Sequence, residues 1–248
     1  MKIKRKMIKR LMPVPVQVRH AEYSMVFSAD DDASRPSEVL LSVALEAIEK
    51  ARGLSLADLS ARMKGPPYYP EIWPGEHYKL LAGLALSLKP KMVIEIGTGS
   101  GLSALAIKKY LSPGSKIATF DLVDWKSYPG SCLREEDFRD GSLVQHLDDL
   151  SNPDMVLKHR QIITEAEMII IDAEKDGVME QRFLDNFSSV SFRTSPLVFF
   201  DDIRLWNMLK IWRNIAFPKL DLTSFGHWSG TGIIEWKKSG AGQQKQAE

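Results

Sequence analysis

Apolar residues along the chain fall into two regimes. Before about residue 75 they recur only at helical spacing. Leu40, Leu41, Ala44, Leu45 and Ile48 make one stripe that stops at Gly53, and residues 56–63 read as a second short helix. A loop dense in proline and aromatic rings follows over residues 65–75. Beyond it the pattern alternates. Short strand-like apolar runs at 92–96, 117–120, 143–147, 168–171, 197–200, 220–224 and 232–236, the first rich in β-branched residues, predict strands. Between them, Leu80, Leu81, Leu84 and Leu88, then Leu102, Leu105, Ala106 and Tyr110, then Leu184 and Phe187, then Leu205, Leu209 and Trp212 predict helices. Such β-α repetition implies an α/β fold, a doubly wound, mostly parallel seven-stranded sheet covered on both faces. The last two strands have no helix between them, so an antiparallel last strand is expected, and the early stripes form an N-terminal helical segment.

Composition adds limits. The chain is 44% hydrophobic and 26% charged, which fits a folded protein, and no apolar run reaches the length of a membrane span. Thirty-three basic residues against thirty-two acidic ones leave a net charge of +1, which gives no general reason to expect nucleic acid as a partner. The charge is uneven, because Lys2, Lys4, Arg5, Lys6, Lys9 and Arg10 crowd the start. The short run after them is broken by Pro13 and Pro15, unlike a secretory signal, so a solvated arm is expected. A single cysteine, Cys132, excludes an intrachain disulfide framework and fits a reducing, cytoplasmic setting. The expected organisation is an arm with helices and aromatic loop over 1–74, a main domain over 75–238, and a flexible polar tail over 239–248.

The candidate chemistry lies at strand ends, where ligands sit in open parallel sheets. Gly97, Gly99 and Gly101 follow the first strand and open a helix, in the order Glu95-Ile96-Gly97-Thr98-Gly99-Ser100-Gly101. A dinucleotide fingerprint would need glycine at 102, where Leu102 stands, and no Walker lysine is present. A carboxylate beside the loop would repel a pyrophosphate and suit a ligand carrying an ammonium and a sulfonium. The stretch resembles motif I of the class I S-adenosylmethionine-dependent methyltransferases, which implies a Rossmann-like fold. By that resemblance Glu95, Gly97, Thr98, Gly99 and Gly101 lie around the methionine part of the cofactor, S-adenosyl-L-methionine (SAM). Asp121, ending the second strand, would hold the ribose hydroxyls. Asp148 or Asp149 would lie near the adenine, with Asp172 also bordering the cofactor.

A second constellation follows the next strands. Asp172-Ala173-Glu174-Lys175 ends the fourth strand and Asp201-Asp202 the fifth. Carboxylates brought together there would repel one another unless neutralised, as a divalent cation such as Mg²⁺ can do. The pattern resembles the metal-dependent catechol and caffeoyl-coenzyme A O-methyltransferases, an Asp-x-x-Lys followed by an acidic pair. That resemblance implies Asp172, Asp201 and Asp202 as metal ligands and Lys175 as general base; Asp202 stands where asparagine is usual. The implied activity is methyl transfer to a hydroxyl of a small diol-bearing acceptor: a catechol-like ring, a sugar or a natural product. A metal-independent enzyme with His227 or Lys175 as base, and a non-catalytic SAM- or nucleotide-binding module, are the alternatives. Tyr68, Tyr69, Trp73 and Tyr78 either stack on the acceptor or pack the loop on the sheet. Assembly as a homo-oligomer is left open.

Overall fold

The computed structural model describes residues 34–237; the basic arm over residues 1–10 and the polar tail over 239–248 lie outside the described residues. Seven strands form one sheet in the order β3-β2-β1-β4-β5-β7-β6. They span β1 Met92–Ile96, β2 Lys116–Phe120, β3 Leu143–His146, β4 Met168–Ile171, β5 Leu197–Asp201, β6 Lys219–Asp221 and β7 Thr231–Glu235. The five strands from β3 to β5 run parallel. β7 enters antiparallel between β5 and β6. This is the doubly wound sheet with a reversed last strand that the sequence pattern predicts. β4 is buried along its whole length and β1 nearly so, as strands covered on both faces must be.

Helices α1 Glu38–Gly53, α2 Ala57–Ser60, α3 Tyr78–Leu88 and α4 Leu102–Tyr110 precede β2. One apolar core lies between α1, α3, α4 and one sheet face, and the other face packs on later helices. Ser37 caps α1 by accepting from the Leu40 N–H at 3.1 Å. The buried face of α1 differs from the expected stripe: Leu40, Ala44, Ala47 and Ala51 face inward, while Leu45 is 67% exposed. The reason is close helix packing. A Cβ at Gly83 of α3 would stand 2.3 Å from the Ala47 carbonyl oxygen, so small residues and not leucines occupy the crossing.

Other differences are local. The helix expected over 56–63 is the single turn of α2, because the chain runs on to Gly65-Pro66-Pro67. Two short helices, α5 Pro153–Lys158 and α6 Arg160–Thr164, precede β4 where no helix was expected, the first capped by Asn152. They are too short for apolar periodicity to reveal. α7 Met179–Ser188 follows β4, and α8 Met208–Asn214 begins three residues later than the stripe from Leu205 suggests. β6 stops at Asp221, whose carboxylate accepts from the Thr223 N–H and hydroxyl and turns the chain into the 3₁₀ turn Thr223–Phe225.

Candidate functional site

Two glycines of the turn after β1 leave no room for a side chain. Gly97 has φ 95°, and a Cβ there would fall 1.7 Å from the Asp172 carbonyl oxygen. Gly101 caps α4 with φ 79°, where a Cβ would strike the Leu133 side chain at 2.2 Å. Gly99 differs: a Cβ would meet only the Tyr128 ring, at 3.8 Å, so its backbone faces open space. That space is a cavity of about 580 Å³, lined by the loop together with Tyr78, Asp121, Asp149 and Asp172. Its size suits a small-molecule ligand.

Hydrogen bonds fix its walls. Asp121 accepts from the Gly99 N–H at 3.0 Å and from the Val123 N–H at 2.9 Å, with lone pairs to spare for a ligand. Thr98 Oγ1 shares a 2.8 Å bond with Thr119 and accepts from Gln145 Nε2 at 3.1 Å. Asp149 accepts from the Ser151 N–H and hydroxyl. Asp148 also lines the cavity and is engaged by Lys158 and His159. Glu95 lies behind the loop and is not among the lining residues; it faces Thr119 on β2 with no exposure at all. Burial, opposed by the nearby Thr119 and Ser103 hydroxyls, pushes its pKa up to about 7.

At the ends of β4 and β5 the expected acids come together. Asp172, Asp201 and Asp202 each offer an oxygen within 4.8 Å of the others. The Lys175 ammonium bonds Asp172 and stands 3.4 Å from Asp202. Burial opposes its charge, but Asp172, Asp201 and Asp202 outweigh burial and hold Lys175 protonated. Burial and Asp201 together raise the Asp172 pKa. Lys175 (φ 67°) and Asp202 (φ 57°) both adopt the left-handed backbone that L-residues avoid. Two such strained residues in contact at one sheet edge are typical of functional sites.

Three further side chains complete this corner. His77, just before α3, lies with Nδ1 3.3 Å from Asp201 Oδ1. His227 reaches in from the loop before β7, with Nδ1 3.1 Å from Asp202 and 3.6 Å from Asp201. Its Nε2 faces Glu76 at 3.5 Å. Burial works against the His227 charge, yet Asp201 and Asp202 push its pKa up to about 10. For Asp201, burial is outweighed by His77 and His227, so its pKa falls. The sequence pattern did not single out Glu76 and His77. Their only signal is an adjacent acid–histidine pair opening a helix, which reads equally well as packing. Of the aromatic residues singled out there, Tyr78 lines the cavity and Trp73 packs near Phe225 at 6.3 Å, while Tyr68 and Tyr69 are exposed.

No protein-family model matches the sequence, and no curated protein matches it. Solved structures do. A protein from Corynebacterium glutamicum superposes with a TM-score of 0.50 at 15% identity, over 89% of this chain and 96% of its own. A methyltransferase from Geobacter sulfurreducens gives 0.47 at 12% identity, over 92% and 100%. An SAH-bound methyltransferase from Podospora anserina gives 0.44 at 16% identity, over 91% and 99%. The likeness is one of fold. It agrees with the topology above, a Rossmann-like parallel sheet with one reversed strand, and no described helix is long and apolar enough to cross a membrane.

Proposed function

We propose that the chain is a SAM-dependent O-methyltransferase acting on a hydroxyl of a small diol-bearing acceptor. One observation carries this reading: Asp172 belongs to both halves of the site, lining the cavity at the glycine loop and standing in the acid cluster. A ligand in the cavity therefore ends where the charged corner begins. The cavity suits SAM: Gly99 leaves its backbone open to a ligand, and Asp121 stands at the end of β2 with acceptor capacity for ribose hydroxyls. When bound there, SAM supplies a methyl group activated by its sulfonium. Thr98 and Gly101 shape the loop that receives it, and Asp149 borders the adenine end.

The chain's own contribution is positioning and proton handling, since no covalent intermediate with the protein is needed. Asp172, Asp201 and Asp202 have the spacing to hold a divalent cation, and such charge would make an acceptor hydroxyl more acidic. Lys175 and His227 are the groups beside the acids; either takes the hydroxyl proton only from its neutral form, which the surrounding carboxylates oppose. As placed, Lys175 already neutralises Asp172 and Asp202, which favours the metal-independent alternative as the second reading.

Thermal melting in the presence of S-adenosylhomocysteine or NAD tests the cofactor. S-adenosylhomocysteine is expected to raise the Tm and NAD to leave it unchanged; the reverse result would overturn the proposal. Labelled-methyl transfer to catechol-like and sugar acceptors, with and without EDTA, then separates the two readings. Loss of turnover in EDTA supports the cation, and full turnover supports the metal-independent enzyme.

A further inference from the structure

Asp201 belongs to two donor clusters, and the second one contains nitrogen. His77 Nδ1 and His227 Nδ1 lie 3.3 and 3.6 Å from the same oxygen, Asp201 Oδ1. One donor atom from each of the three residues lies within 4.8 Å of the others. His77 Nδ1 and Asp201 Oδ1 are buried, and apart from their mutual contact at 3.3 Å neither makes a hydrogen bond. Buried polar atoms left in that state are rare and costly, and here two of them face one point. Donors placed tetrahedrally at about 2.0–2.1 Å from a metal ion stand about 3.3–3.4 Å apart, close to the separations found.

The surroundings support the same point. Glu76 lies behind His227 at Nε2, an arrangement that fixes the tautomer and leaves Nδ1 as the ligand atom. His227 Nδ1 now shares a 2.7 Å bond with Ser229 Oγ, which a metal would replace. Asp202 Oδ1, 3.1 Å from His227 Nδ1, stands where a further donor would be useful. The all-carboxylate set has a competitor already in place, the Lys175 ammonium between Asp172 and Asp202. The nitrogen-containing set leaves Lys175 where it is.

We propose that His77 Nδ1, His227 Nδ1 and Asp201 Oδ1 form a divalent transition-metal site, with Glu76 holding His227 from behind. Imidazole donors favour zinc, copper, iron or nickel over magnesium, which prefers an all-oxygen shell, and cobalt reports on a zinc-type site by its colour. This deepens the proposed methyltransferase reading by naming donors and metal class, and it rests on that reading only in placing the cation beside the acceptor. Metal binding itself is measured without SAM.

The experiment titrates the chelator-stripped full chain with Co²⁺, Zn²⁺ and Mg²⁺, followed by calorimetry and visible absorption. One Co²⁺ per chain is expected, with the intense bands of four-coordinate cobalt, displaced by Zn²⁺ and not by excess Mg²⁺. His77→Gln and the less buried His227→Gln should each weaken Co²⁺ binding at least ~10-fold, and Glu76→Gln about 10-fold. Asp172→Asn should change it by less than about threefold, as expected of a residue outside the donor set. Circular dichroism confirms that each variant is folded. Displacement of cobalt by Mg²⁺, or loss of binding in Asp172→Asn but not in the histidine variants, would assign the cation to the carboxylates and overturn the proposal. So would a folded wild-type chain that takes up no cobalt. Cobalt uptake as stated in a chain that does not bind S-adenosylhomocysteine leaves the metal site standing and removes the methyltransferase reading alone.

Discussion

The two halves of the site are built in opposite ways. The half at β1 and β2 relies on backbone shape and neutral hydrogen bonds: three glycines with positive φ, the Thr119–Thr98–Gln145 chain, and one cavity-lining carboxylate, Asp121, whose bonds are to N–H groups. The half at β4, β5 and β7 relies on charge, with Asp172, Asp201, Asp202, Glu76, Lys175, His77 and His227 packed into one corner. The first kind of surface receives a ligand without changing its own protonation. The second holds groups whose protonation depends on one another, so it can exchange protons with what binds there. A two-part reaction, one part to hold and one to activate, is what such a division suits.

The largest effect should come from breaking the first half. Gly97→Ala forces a Cβ onto the Asp172 carbonyl, so a loss of more than ~3 kcal/mol in stability and no measurable S-adenosylhomocysteine binding are expected from denaturant titration and calorimetry. A stable, fully binding variant would show that the loop's shape is not what the cavity needs.

Next in size is Glu95, the one buried acid of the neutral half. Its folded pKa of about 7 lies above the ordinary 4.5, so the folded state holds a proton that the unfolded chain has lost. The penalty is absent below about pH 4.5, grows as pH rises to about 7, and is constant above. Glu95→Gln should therefore raise stability by up to about 3 kcal/mol at pH 8 and by almost nothing at pH 4. A melting-temperature gap that fails to open between those pH values contradicts this account of Glu95.

Smallest is Asp121→Asn. One oxygen remains to accept from the backbone, so the fold should persist, while S-adenosylhomocysteine affinity falls about tenfold, ~1.4 kcal/mol. An unchanged affinity in calorimetry would remove Asp121 from the ligand's surroundings.

Much of this was legible in the sequence because it is local. Short apolar runs mark strands, and an acid at the end of a buried strand has no reason to be there except the sheet edge. Asp121, Asp172 and Asp201 could be placed in that way. The Glu76–His77 pair could not. It reaches the acids only because α3 packs in the core on one sheet face and sets His77 beside Phe199 and Asp201 of β5, a consequence of tertiary packing. The inward face of α1 departs from its periodicity for a related reason: the pattern favours the larger residues Leu41 and Leu45, whereas the crossing with Gly83 demands small ones. His227 stands far from the acids in sequence, and a lone loop histidine says nothing about which acids will surround it.

The reversed direction of β7 has a consequence for the order in which the molecule is made. The glycine loop, Asp121, Asp149 and Asp172 leave the ribosome before β5, β6 and β7, and the strands that hold them can pair first. His227 and Ser229 follow, and they reach the sheet edge only when β7 slots between β5 and β6. The cavity at the glycine loop can thus exist in a nascent chain that has no complete acid–histidine corner. The charged corner closes beside a cavity already formed.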